Sequence, residues 1–157
     1  MPGTKIQVPP NCDLTLGLVC IDKATPGSTT WRAISDERFC NPAGIVQGGF
    51  LGAICDSAMG ASALTYVQGR KVFVRNAEMK ISFLAPVEPG RMIECVATVI
   101  SGGSTTAFVE AELSDLGPAG RTGRAPAHEG TTPKGREGPR KLVAKASSTY
   151  MYTDREA

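Results

Sequence analysis

Between Phe39 and Gly69 the chain carries a single charged or imidazole side chain, that of Asp56. The segment Asn41 to Gly60, NPAGIVQGGFLGAICDSAMG, holds the pair Gly48-Gly49 and runs on from it without a proline or a charge other than Asp56. Read as a helix from about Gly49 to Val67, it is apolar or small on every side, the pattern of a helix buried in a core. At ~100° per residue Gly52, Met59, Gly60, Ala63 and Val67 share the face of Asp56. A carboxylate is costly to bury without partners, so a lone acid in such a helix needs a hydrogen-bonding or a chemical role.

The remaining elements read as strands. Leu16 to Asp22 and Thr29 to Ser35 flank Thr25-Pro26-Gly27-Ser28, a hairpin turn. After Gly69 the pattern alternates, with Phe73, Ala77, Met79, Ile81 and Phe83 on one side and Asn76, Glu78, Lys80 and Ser82 on the other, as in a half-buried strand. Arg91 to Ile100 and Thr105 to Ser114 alternate around the turn at Gly102-Gly103, and Leu142 to Tyr152 forms the last strand. One long helix with antiparallel strands makes an α+β domain, and a single sheet around one central helix satisfies the pattern.

Residues 1–13 read as a loose N-terminal arm, leaving 14–157 as one domain. Ten of the 24 residues from Gly117 to Arg140 are Gly or Pro, and five are basic against two acidic. Such a stretch buries too little apolar surface to offset its ordering entropy, so a mobile basic insertion is expected there. Outside it the 12 basic and 13 acidic groups nearly cancel, which argues against nucleic acid as a partner. No run of 18 apolar residues spans a membrane, and MPGTKIQVPPNCD lacks the apolar core of a signal peptide, so a cytoplasmic protein is expected. Five cysteines without a Cys-x-x-Cys, and one histidine, argue for reduced thiols over a zinc site. Cys55 beside Asp56 reads as core filling, since the sole histidine, His128, lies in the insertion.

The helix motif resembles that of the hotdog-fold acyl-CoA thioesterases of the PaaI-like, phenylacetate-degradation type. Asn41, Gly44, Gly48, Gly49 and Asp56 match the family pattern Asn-x-x-Gly-x-x-His-Gly-Gly with Asp or Glu seven positions beyond the second glycine; Gln47 stands where the family usually has histidine. Asn76 to Gly90, NAEMKISFLAPVEPG, resembles the family's strand after the helix. The resemblance implies hydrolysis of an acyl- or aryl-CoA thioester with no metal or cofactor. It gives Asp56 the part of general base or nucleophile, and the backbone N–H of Gly48 at the helix entry, next to Gly49, that of oxyanion donor. Asn41 and Gln47 would orient substrate or water, and Asn76 takes the place where relatives carry Ser or Thr near the water. It also implies a homodimer or homotetramer with the site between subunits. Asn41-Pro42 is equally a turn opener, and Asn76, on the polar side of its strand, equally a solvent-facing residue. With Gln47 in place of histidine, a non-catalytic acyl-CoA-binding or regulatory hotdog protein is the alternative reading.

Overall fold

In a computed structural model, residues 7–120 and 140–154 are described. They form a short helix α1 (Asn11–Leu16), strands β1 (Val19–Asp22) and β2 (Ser28–Ile34), the long helix α2 (Gly48–Tyr66), and strands β3 (Val72–Phe83), β4 (Arg91–Gly102), β5 (Thr106–Pro118) and β6 (Lys141–Asp154). All six strands join one antiparallel sheet in the order β1-β2-β4-β5-β6-β3. Helix α2 lies across its concave face, touching β2 through β6. Among the described residues no helix is long and apolar enough to cross a membrane.

Alternation in the central strands supplies the floor beneath the helix. Ile93, Cys95 and Ala97 of β4, Ala107, Val109, Ala111 and Leu113 of β5, and Leu51, Ile54, Cys55, Ala58, Met59 and Ala63 of α2 are all buried together. Small side chains let helix and sheet approach closely, while Met59 and Leu113, both fully buried, fill the gap. The polar groups trapped in this layer find partners: Ser62 Oγ bonds the Ala97 carbonyl at 3.0 Å, and the Tyr152 hydroxyl donates to the Ala63 carbonyl at 2.8 Å.

Four readings of the sequence need correction. Helix α2 is not buried all round. It packs one side on the sheet and leaves Asp56, Leu64 and Tyr66 exposed, because a single sheet in one protomer covers only one face. The N-terminal arm ends sooner than residue 13. Asn11–Leu16 is helical, closed by Gly17 in the left-handed conformation (φ 63°), and the buried Asp13 accepts a hydrogen bond from Ser57 Oγ at 2.7 Å. A six-residue helix is too short to leave a periodic trace, and β1 accordingly begins at Val19 rather than at Leu16. At the other end, β5 runs on through Gly117 and Pro118, the latter paired with Arg91. Arg140 forms an ion pair with the buried Glu94, which Arg32 also meets at 2.7 Å. The expected insertion thus keeps its strand-bound ends, and its interior, with His128, lies outside the described residues.

The fourth correction bears on the site. Asn76 pairs with Tyr150 and Glu78 with the next residue back, Thr149, so Ala77 is an extra residue, a β-bulge. Strict alternation would hold Asn76 on the same side as Glu78 and Lys80. The bulge resets the phase, so that Asn76 shares the helix side with Met79, which touches Gly52, and Phe83, which covers Gly48, while Phe73 is left half exposed.

Candidate active site

The entry to α2 is built by a turn and a strand bridge. Asn41 Oδ1 accepts the Ala43 N–H at 2.9 Å, its carbonyl accepts the Gly44 N–H, and Gly44 takes φ 76°, a conformation suited to glycine. The Gln47 N–H donates to the Phe39 carbonyl at 2.8 Å, which sets the approach of the chain to the helix. Gln47 stands at the N-cap with an exposed side chain that does not cap the helix. The Phe50 N–H donates back to the Gln47 carbonyl at 2.9 Å, which leaves the N–H groups of Gly48 and Gly49, at the positive end, to acceptors from outside the helix.

Gly48 and Gly49 differ in their surroundings. A Cβ on Gly48 would stand 2.8 Å from Cζ of Phe83, so the phenyl ring closes over this residue only because it is glycine. A Cβ on Gly49 would meet nothing within 4 Å. Phe50, in the same turn, stacks on Phe39 with ring centroids 4.3 Å apart, giving the helix entry an aromatic rim.

Two turns along the helix, Asp56 meets a polar cluster. Its Oδ1 accepts hydrogen bonds from Asn76 Nδ2 and from the Tyr150 hydroxyl, each at 2.6 Å. Ser148 Oγ lies 2.9 Å from Asn76 Oδ1 and fixes which way that amide points. Burial, and then the Asp56 carboxylate beside it, push the Tyr150 hydroxyl above the usual phenol range. It thus stays protonated and serves Asp56 as a donor. Asp56 itself is exposed, contrary to the burial expected from its apolar neighbours in sequence. Neighbouring Cys55 is fully buried, and its thiol, with burial, pushes the Cys95 thiol up, as befits core residues.

Of the candidate residues, Asp56 and Asn76 are therefore in contact within one protomer. Gly48, Gly49, Gln47 and Asn41 lie at the helix entry, and the eight residues from Gly48 to Asp56 span about 12 Å of helix axis. Sequence reasoning missed Tyr150 and Ser148. A signal existed, because Ser148, Tyr150 and Tyr152 alternate along one side of the last strand, and a buried tyrosine needs a partner for its hydroxyl. A cleft of about 300 Å³ between α1 and β2, lined by Leu14, Ser35 and Arg38 among others, includes none of these residues.

A six-stranded antiparallel sheet around one long helix defines the hotdog class of folds. The family model of the thioesterase superfamily matches residues 43–120, a span that holds the helix entry, Asp56 and Asn76. Among solved structures, the chain is similar to a phenylacetic acid degradation-related protein and putative thioesterase of Ralstonia eutropha (26% identity, 93% of this chain and 92% of that one, TM-score 0.68). It is also similar to the Escherichia coli PaaI protein of the phenylacetic acid degradation operon (16% identity, 92% and 86% covered, TM-score 0.72). A hypothetical thioesterase of Streptococcus pneumoniae, solved with coenzyme A, is a third (16% identity, 89% and 88% covered, TM-score 0.65). No curated protein matches by sequence. The chain thus has the hotdog fold, matches the thioesterase superfamily over its central half, and is similar to PaaI-like proteins among solved structures.

Proposed function

We propose that this protein is an acyl-CoA thioesterase that hydrolyses an acyl- or aryl-CoA thioester to the free acid and coenzyme A. The observation that carries the reading is Asp56, an exposed carboxylate on the central helix, held by Asn76 in a chain of this superfamily. The pneumococcal relative solved with coenzyme A supports the class of substrate. Asp56 takes a proton from water as the water oxygen bonds the thioester carbon, or its own oxygen bonds that carbon to form an anhydride that water then opens. In either course the C–S bond breaks and coenzyme A leaves as thiolate, to be protonated by solvent.

The developing oxyanion needs donors, and the Gly48 N–H, at the positive end of α2, is suited to it. Because about 12 Å of helix separates Gly48 from Asp56, one carbonyl cannot reach both in a single chain. The reading therefore pairs Asp56 of one chain with Gly48, Gly49, Asn41 and Gln47 of a second copy, in a homodimer or homotetramer. Asn41 contributes through its turn, and Gln47 through its exposed amide. Reduced cysteines and a coenzyme A substrate fit a cytoplasmic enzyme.

Gln47 also favours a second reading, since its amide cannot act as an acid or base, and a protein that only binds acyl-CoA would not need one. The experiment is thiol release from short, medium, long and aryl acyl-CoAs, with Asp56→Asn assayed alongside. Turnover in the wild type that is lost in the variant, with ligand binding kept, is the expected result. A folded wild-type protein that binds acyl-CoA and releases no thiol from any member of the panel would turn the assignment to the binding protein.

A further inference from the structure

We infer that Tyr150 is a positioning residue that, together with Asn76, commits one oxygen of Asp56 and leaves the other as the reacting atom; the inference rests on the thioesterase reading. Both short hydrogen bonds converge on Oδ1, and the Tyr150 hydroxyl is also 3.0 Å from the Asp56 carbonyl oxygen, the nearer oxygen being Oδ1 at 2.6 Å. Among the described residues no donor reaches Oδ2. The carboxylate is thus held by one edge, with its rotation fixed and its second oxygen turned to the open side of the helix.

The surrounding framework makes this arrangement rigid. Tyr150 is 2% exposed, its ring lying against Gly60, one turn beyond Asp56. Asn76 is its cross-strand partner, brought to the helix side by the bulge at Ala77. Ser148 Oγ, between Asn76 Oδ1 and the Glu78 carbonyl, holds the Asn76 amide with Nδ2 toward Asp56. Two donors hold one oxygen in place, while Oδ2 keeps lone pairs free for a water proton or for the thioester carbon. A tyrosine that only packed the core would not need its hydroxyl on the acid.

Tyr150→Phe keeps the ring and removes the donor. The expected result is a fall in kcat of about 10- to 100-fold with KM within about twofold, since the carboxylate loses its set orientation and substrate contacts do not change. Wild-type kcat would overturn the inference, as would a loss confined to KM. The chemical shift of the Asp56 carboxyl carbon at neutral pH, compared between the wild type and Tyr150→Phe, reads the same hydrogen bond without substrate. A changed shift in the variant supports the positioning role, and an unchanged one overturns it. A wild type inert toward every thioester, with the NMR shift present, would sink the thioesterase reading and not the hydrogen-bonded arrangement. Ser148→Ala frees the Asn76 amide without touching Asp56, and a smaller move in the same direction is expected; it serves as the second variant should Tyr150→Phe fail to fold.

Discussion

Gly48→Ala separates the packing role of the helix entry from its proposed chemical one. The added Cβ would stand 2.8 Å from Cζ of Phe83 and 3.1 Å from both Cε atoms, against the ~3.5–4.0 Å of an ordinary carbon contact. The ring must retreat by several tenths of an ångström, and it is free to do so because Phe83 is 51% exposed. The strain is therefore at the low end of the overpacking range, about 1 kcal/mol. Alanine gains up to about 1 kcal/mol over glycine in a helix, less in its first turn, so the two effects nearly cancel. A melting temperature within about 4 °C of the wild type is expected for a domain of this size. Activity should fare differently: the methyl group and the displaced ring crowd the approach to the Gly48 N–H, and a reacting group misplaced by about 1 Å costs on the order of 10²-fold in rate. Adding Phe83→Ala removes the clash and should leave the loss of rate in place. Coenzyme A release, followed with a thiol reagent beside thermal melts, gives both readouts. A variant that is stable and fully active would refute the oxyanion role of Gly48, and a loss beyond about 3 kcal/mol would refute the packing estimate. If the site is shared between copies, Gly48→Ala and Asp56→Asn chains, each inactive, should recover about a quarter of wild-type activity after subunit exchange in equal amounts, half of the dimers being mixed and each of these holding one intact site.

Two further outcomes follow from the core and from the tyrosines. Met59 is fully buried between helix and sheet, so Met59→Ala should cost about 2–5 kcal/mol in urea unfolding; a loss below about 1 kcal/mol would mean that the layer collapses around the gap. The Tyr150 hydroxyl is raised above its ordinary value by burial and by Asp56, so the stability it contributes is intact below about pH 10, the unfolded phenol value, and falls as pH rises beyond it. Melting temperatures from pH 9 to 12 should thus decline more steeply for the wild type than for Tyr150→Phe, and parallel curves would contradict the linkage.

The parts of the molecule legible in the sequence were those set by local periodicity. The charge-free run around Asp56 marked the central helix to within a residue at each end, and alternation in β4 and β5 marked the centre of the sheet it lies on. Asp56 stood out because it was alone. Its exposure did not, because the apolar neighbours that suggested burial cover one side of the helix and the sheet reaches no further. Asn76 was legible as a position and misplaced as a direction, since a bulge shifts pairing by one residue without changing composition. Tyr150 escaped for another reason. Its meaning depends on a contact across 94 residues of sequence, which no local pattern records.

The bulge at Ala77 gives β3 two halves whose side chains run out of phase. Asn76 belongs to the first half, and Met79 and Phe83, which cover the helix entry, belong to the second. Chain length here carries information that residue identity does not: many side chains would be tolerated at position 77, but a chain shortened there by one residue would restore a regular ladder and turn one half over. Asn76 would then lose Asp56, or Phe83 would leave Gly48. The amide that holds Asp56 and the cover of the helix entry are thus phased to one another by an amino acid whose own side chain takes no part in either.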